Sequence, residues 1–127
     1  MIDKKLIADP DVHYGSPKAA TRTFTLQRIT AALNVLFLMF LVWFVASLAG
    51  AERAEMLSTI RNPFVAVVLA LLIVNVSIHM RIGMREIIED YMDEGRTNRL
   101  AMTVNDVFAL IIAVAGLAAV AKIVFWG

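Results

Sequence analysis

The chain has 127 residues, of which 60% are hydrophobic and 18% charged, with a formal net charge of +1 and no cysteine. A soluble domain is roughly 45–50% apolar, so the composition excludes an ordinary soluble monomer, and the lack of a polar, charge-rich bias excludes a disordered chain. The missing Cys excludes disulfides, Cys-held iron–sulfur clusters, Cys-based zinc sites and thiol nucleophiles, and the near-zero charge leaves no basic surplus for nucleic acid.

The N-terminal arm, about residues 1–20, contains Pro10, Gly15 and Pro17, which argue against a long helix there. Three stretches without charge then follow in a chain whose length suits a single domain spanning 1–127. The first runs for 23 residues from Ile29 to Ala51, the second for 19 from Asn62 to Met80, and the third for 15 from Val107 to Ala121. The third extends through Ile123 to Gly127 if Lys122 snorkels to the interface. A spanning helix needs about 20 mostly apolar residues. The prediction is therefore an all-α membrane protein with three transmembrane helices, at about 21–51, 62–93 and 104–126. The first run is expected to stay in the mature chain: it begins near residue 29, and Ser47-Leu48-Ala49 is a poor cleavage site.

The connections carry their own signals. Glu52 to Arg61 reads as a short loop. The second helix is expected to continue past the bilayer through Arg81 to Tyr91, with Gly95 as its stop. Thr103-Val104-Asn105-Asp106, just before an apolar run, reads as a capping box opening the third helix. Lys4, Lys5, Lys18, Arg22, Arg28, Arg81, Arg85, Arg96 and Arg99 fall on one side of the three spans, and only Arg53, Arg61 and Lys122 on the other. The positive-inside rule then places the N-terminus in the cytoplasm and the C-terminus outside, with the matrix replacing the cytoplasm in a mitochondrion. Trp43 and Trp126 lie toward the outer ends, where interfacial aromatics belong.

His79, at the end of the second apolar run, is one of only two histidines, the other being His13 in the arm. An ionisable residue in a membrane is costly and marks a candidate site. Three roles are open to His79: a packing residue hydrogen-bonded to a neighbouring helix, a step in a proton path, or a ligand of haem iron through a neutral imidazole nitrogen. If it binds haem, the second axial ligand most simply comes from another chain. Asp90, eleven residues further on, returns to nearly the same face about 16 Å along the axis. Tyr91 beside it offers a phenol that both donates and accepts, as a quinone oxygen requires, although a charged helix end with an interface tyrosine fits the same residues. Arg28 is either a positive-inside anchor or a guanidinium for a propionate. Asn34, Asn75 and Ser77 are expected to hydrogen-bond between helices. Glu89, Asp93 and Glu94 read as a solvated run, and the seven Met as packing residues.

The stretch from Ile78 to Tyr91 resembles a signature of the small membrane-anchor subunit of succinate dehydrogenase, respiratory complex II. The pattern is a His, then Gly-Met, then Asp-Tyr, matched here by His79, Gly83, Met84, Asp90 and Tyr91. Gln27-Arg28-Ile29-Thr30-Ala31 is similar to the short motif through which that family enters its first helix. The resemblance implies a three-span anchor in which His79 is an axial ligand of haem b, with the second ligand supplied by the larger cytochrome b anchor subunit. It further implies that Tyr91 contacts ubiquinone, that Asp90 supports that site and that Arg28 lies near the haem propionates. The implied partners are the cytochrome b subunit, an iron–sulfur subunit and a flavoprotein carrying FAD, besides membrane lipid. The dicarboxylate chemistry would lie in those partners. The implied location is a bacterial inner membrane. Fumarate reductases share this architecture, so the direction of turnover is left open. The readings from other classes are a structural or assembly membrane protein without a redox role, and a transporter subunit with His79 in a proton path.

Overall fold

A computed structural model describes residues 17–126. The expectations for the arm up to residue 16, including the breaks at Pro10 and Gly15 and the position of His13, lie outside the described residues; residues 17–20, expected in the arm, instead form the first turn of a helix that Pro17 opens. The described chain forms four helices: α1 (Pro17–Leu48), α2 (Arg53–Arg61), α3 (Pro63–Tyr91) and α4 (Arg96–Trp126). Of these, α1, α3 and α4 are long and apolar enough to cross a membrane. They contain 32, 29 and 31 residues. At about 1.5 Å per residue each exceeds the roughly 30 Å hydrocarbon layer, so their charged ends project from it.

Local chemistry sets the boundaries. Proline at the first helical position, where its missing N–H is no loss, opens both α1 and α3. Gly50, at φ +80°, supplies the left-handed residue that turns the chain after α1. The segment expected as a loop is instead the short helix α2. It stops because Pro63 forces Asn62 out of the helical region, to φ −58° and ψ 124°. Asn62 then caps the next helix: its Oδ1 accepts from the backbone N–H of Phe64 at 3.0 Å and of Val65 at 3.4 Å. Arg61 ties this corner to the end of α4, its Nε donating to the carbonyl of Ile123 at 2.9 Å. That carbonyl belongs to the last turn of α4.

Two other expectations are corrected here. The second long helix continues through Tyr91 as expected, but it is closed by Met92 in an extended conformation rather than by Gly95, which at φ +147° forms the entry to α4 by accepting from Arg99 N–H at 3.1 Å. The capping box does not form. Helix α4 starts at Arg96, so Thr103 to Asp106 lie inside it. Nothing from Arg96 to Met102 breaks a helix, and the polar side chains find other partners. The Thr103 hydroxyl donates back to Arg99 O at 3.0 Å, and Asn105 Nδ2 crosses to Arg81 O at 2.9 Å.

Helix α3 is the hub. It packs along α4 on one side and along α1 on the other, while α1 and α4 barely touch. The buried set is nearly as polar as it is apolar: Thr30, Asn75, Ser77 and Asn105 beside Val65, Ala66, Ile82, Ile88 and Ala109. Leu36, Leu38, Met39, Leu110, Ile111 and many other large apolar side chains face outward. In water this distribution would be inverted; in lipid, small and polar residues hold helices together and apolar ones meet the solvent. Gly116 illustrates the close approach, since a Cβ built there would lie 2.9 Å from Ile73 Cγ2.

Candidate site at the interface of the first and central spanning helices

The two antiparallel helices α1 and α3 meet through a ladder of polar pairs, one rung per turn. At the deepest rung Asn75 Nδ2 donates to Asn34 Oδ1 at 2.6 Å and to the carbonyl of Thr30 at 3.0 Å. One turn nearer the N-terminal side, Thr30 Oγ1 lies 3.0 Å from His79 Nδ1. A further turn on, the Gln27 carboxamide lies against Gly83, where an added Cβ would stand 3.2 Å from Nε2. The register follows from the sequence: Gln27, Thr30 and Asn34 share one face of α1, and Asn75, His79 and Gly83, spaced by four, share one face of α3. Gly83 thus serves as the gap that admits Gln27. The Oε1 of that glutamine is buried with no donor among the described residues.

Thr30 is 5% exposed and makes three polar contacts through one oxygen. Besides His79, its Oγ1 lies 2.7 Å from Leu26 O and 3.1 Å from Gln27 O. His79 is half-buried, and its Nε2 has no hydrogen-bond partner among the described residues. The expected pairing of Asn34 with Asn75 is present. Ser77 does not bridge helices; its hydroxyl donates to Ile73 O of its own helix at 2.7 Å, the back-bond open to a serine inside a helix.

The remaining candidates lie apart from this ladder. Arg28 precedes Thr30 by two residues and so points about 160° away around α1. It is exposed, with its guanidinium 4.7 Å from the centre of the Phe24 ring. The structure does not bring Arg28 to His79 within this chain. Asp90 and Tyr91 sit at the last turn of α3, both exposed, Tyr91 at 85%. Neither has a side-chain hydrogen bond among the described residues, so both are open to whatever lies beside the helix end. Asn98 closes that end by donating to Met92 O at 3.2 Å.

On its other face α3 is clamped to α4 by Arg81, whose Nε meets Asp106 Oδ1 at 2.8 Å. Both side chains are nearly half exposed, at 48% and 45%, so the pair contributes no more than about 1 kcal/mol by itself. Its value lies in register, together with the adjoining bond from Asn105 to Arg81 O. Sequence reasoning missed this clamp and assigned Asn105 and Asp106 to a cap. The signal was present as a lone Asp and Asn entering an otherwise apolar run. Gly116 was missed as well, because a glycine in a helix shows its purpose only when the opposing residue is known.

These observations define an all-α integral membrane protein with three spans, held together by internal polar contacts and carrying one half-buried imidazole between two of them. Comparison with known proteins sharpens the class. Residues 4–118 match the family described as the succinate dehydrogenase/fumarate reductase transmembrane subunit, and the chain belongs to that family. A succinate dehydrogenase hydrophobic membrane anchor subunit of Rickettsia bellii is 26% identical over 106 residues, covering 84% of this chain and 85% of the relative. The subunit of the same name from Rickettsia conorii is 28% identical over 102 residues, covering 80% and 81%. No solved structure matches the chain.

Proposed function

We propose that this chain anchors a succinate:ubiquinone oxidoreductase in the bacterial inner membrane, supplies one axial ligand to haem b and forms part of the quinone-reduction site. The observation that carries the reading is His79. It is a neutral-capable ligand at the end of a membrane span, one ring nitrogen held against Thr30 and the other unengaged. Among the described residues no three His, Cys, Asp or Glu converge, so the donor set suits a group that asks one ligand of this chain rather than a bare metal ion. Haem, when bound, supplies a one-electron iron centre within the membrane. His79 Nε2 is the atom that would hold it, and the large cytochrome b subunit would furnish the other ligand. Arg28, exposed and without a carboxylate among the described residues, is the guanidinium available for a propionate.

At the end of α3 the Tyr91 phenol hydrogen-bonds a ubiquinone oxygen, and Asp90 orients that group and passes protons from the inner side. The phenol can donate to the oxidised carbonyl and accept from the reduced hydroxyl, so one side chain serves both states. The excess of Lys and Arg at the ends carrying Lys18, Arg22, Arg85, Arg96 and Arg99 sets this end on the cytoplasmic side. The flavoprotein with its FAD, and the iron–sulfur subunit, dock there and carry the oxidation of succinate.

The test is a reduced-minus-oxidised spectrum of the purified native complex, wild type beside His79→Ala. Loss or a marked shift of the b-type bands, with the catalytic subunits still co-purifying, is the expected result. Unchanged bands remove His79 from the ligand set. A wild-type complex without haem favours an anchor or assembly role alone.

A further inference from the structure

Thr30 stands closer to His79 than a packing residue requires, and its hydroxyl has only one proton. That proton has three acceptors to choose from. Two are carbonyls of its own helix, Leu26 O at 2.7 Å and Gln27 O at 3.1 Å; the third is His79 Nδ1 at 3.0 Å. Two oxygens at 2.7 Å need a proton between them, since otherwise their lone pairs repel. The hydroxyl proton is therefore committed to Leu26 O, the usual back-bond of a threonine inside a helix. The oxygen that faces His79 then has only lone pairs to offer, and the bond at 3.0 Å holds only if Nδ1 carries the hydrogen and donates it.

We infer that Thr30 is a positioning residue that fixes His79 as its Nδ1–H tautomer, leaving the Nε2 lone pair directed away from α1 for a ligated iron. The arrangement is built rather than incidental. Thr30 is 5% exposed, so water does not compete for its oxygen. Its backbone is pinned from the other side by Asn75 Nδ2, which donates to Thr30 O at 3.0 Å. Asn75 and His79 lie one turn apart on α3, so the same two turns of helix grip both ends of Thr30. A neutral imidazole ligates through the nitrogen that lacks hydrogen, and the bond at the other nitrogen sets which one that is. Donation from Nδ1 also makes Nε2 a stronger electron donor to a metal, which would favour the more highly charged state of a bound iron.

The inference rests on the reading of His79 as a haem ligand, and the experiment separates the two. Purified native complexes are compared with His79→Ala, Thr30→Val and Thr30→Ser in this chain, reading haem content, the electron paramagnetic resonance of the oxidised haem and its midpoint potential. Valine keeps the shape and the backbone carbonyl that Asn75 needs, and removes the hydroxyl: the acceptor that faces Nδ1 and the back-bond to Leu26 O, whose carbonyl keeps its place in the helical ladder. The expected result for Thr30→Val is a rise in potential of up to about 59 mV, the equivalent of a tenfold change for one electron, with a changed resonance. Serine restores both. If Thr30→Val assembles with potential and resonance unchanged while His79→Ala loses the haem, the positioning role is overturned and the ligand reading stands. If His79→Ala retains its b-type bands, the ligand reading fails first. Redox-difference infrared spectra of the wild-type complex with labelled histidine need no variant. A ring mode of a hydrogen-bonded Nδ1–H supports the inference, and a haem-ligand ring without that bond overturns it.

Discussion

The rung formed by Asn34 and Asn75 gives the most direct test of what holds α1 to the rest of the molecule. Asn75→Ala removes two interhelical bonds, one to Asn34 Oδ1 at 2.6 Å and one to Thr30 O at 3.0 Å. Bonds of this kind within a membrane average about 0.6 kcal/mol and reach about 1.7 kcal/mol. Thr30 O retains its place in the helical ladder of α1, so it is not left bare. Asn34, half-buried, loses its only side-chain partner among the described residues. Together these terms give a loss of about 1–2 kcal/mol for Asn75→Ala. Asn34→Ala alone should cost less, because Asn75 still reaches Thr30 O. In a double-mutant cycle the bond to Thr30 is lost with Asn75 in both backgrounds and cancels, isolating the contact at 2.6 Å. The expected coupling is about 0.6–1.7 kcal/mol, measured by reversible unfolding of the full chain in mixtures of dodecyl maltoside and SDS. A coupling within the roughly 0.3–0.5 kcal/mol error of additivity would refute the ladder as an energetic device.

The other predictions concern packing and the quinone end. Gly116→Ala places a Cβ 2.9 Å from Ile73 Cγ2, against a β-branched side chain with little freedom to move, and should lower stability by about 1–3 kcal/mol. Gly83→Ala meets only the flexible end of Gln27 at 3.2 Å and should cost less; thermal dissociation midpoints of the two variants, ranked the other way, would contradict this packing. If Tyr91 holds quinone as proposed, Tyr91→Phe removes a hydrogen bond of about 1 kcal/mol and should slow quinone reduction roughly fivefold, leaving succinate oxidation by an artificial dye intact. Equal loss of both activities would count against a local role for the phenol.

How much of this was legible beforehand differs by residue. The three spans followed from the gaps between charges, because burying a charge in hydrocarbon costs so much that its absence over about 20 residues is itself a signal. His79 stood out for the same reason, and the spacing from His79 to Tyr91 carried the resemblance that the family match bears out. The expected pairing of Asn34 with Asn75 also followed, since a carboxamide inside a span has few choices but another helix. The helix ends were read less well. Asn105 and Asp106 looked like a cap because a cap and a cross-helix clamp use the same residue types, and only the position of Arg81 on the neighbouring helix distinguishes them.

The sequence alone determined that the chain lies in a membrane, how many times it can cross and which few polar residues would have to be satisfied there. Composition and spacing suffice for this, because desolvation acts on each residue regardless of its neighbours. Which helix is central, that Gly83 and Gly116 are points of close approach, and that Thr30 rather than Arg28 meets His79 were decided only by the tertiary structure. Hydrogen bonds and steric contacts are short-ranged and directional, so they depend on the rotation and register of one helix against another, which no single helix encodes.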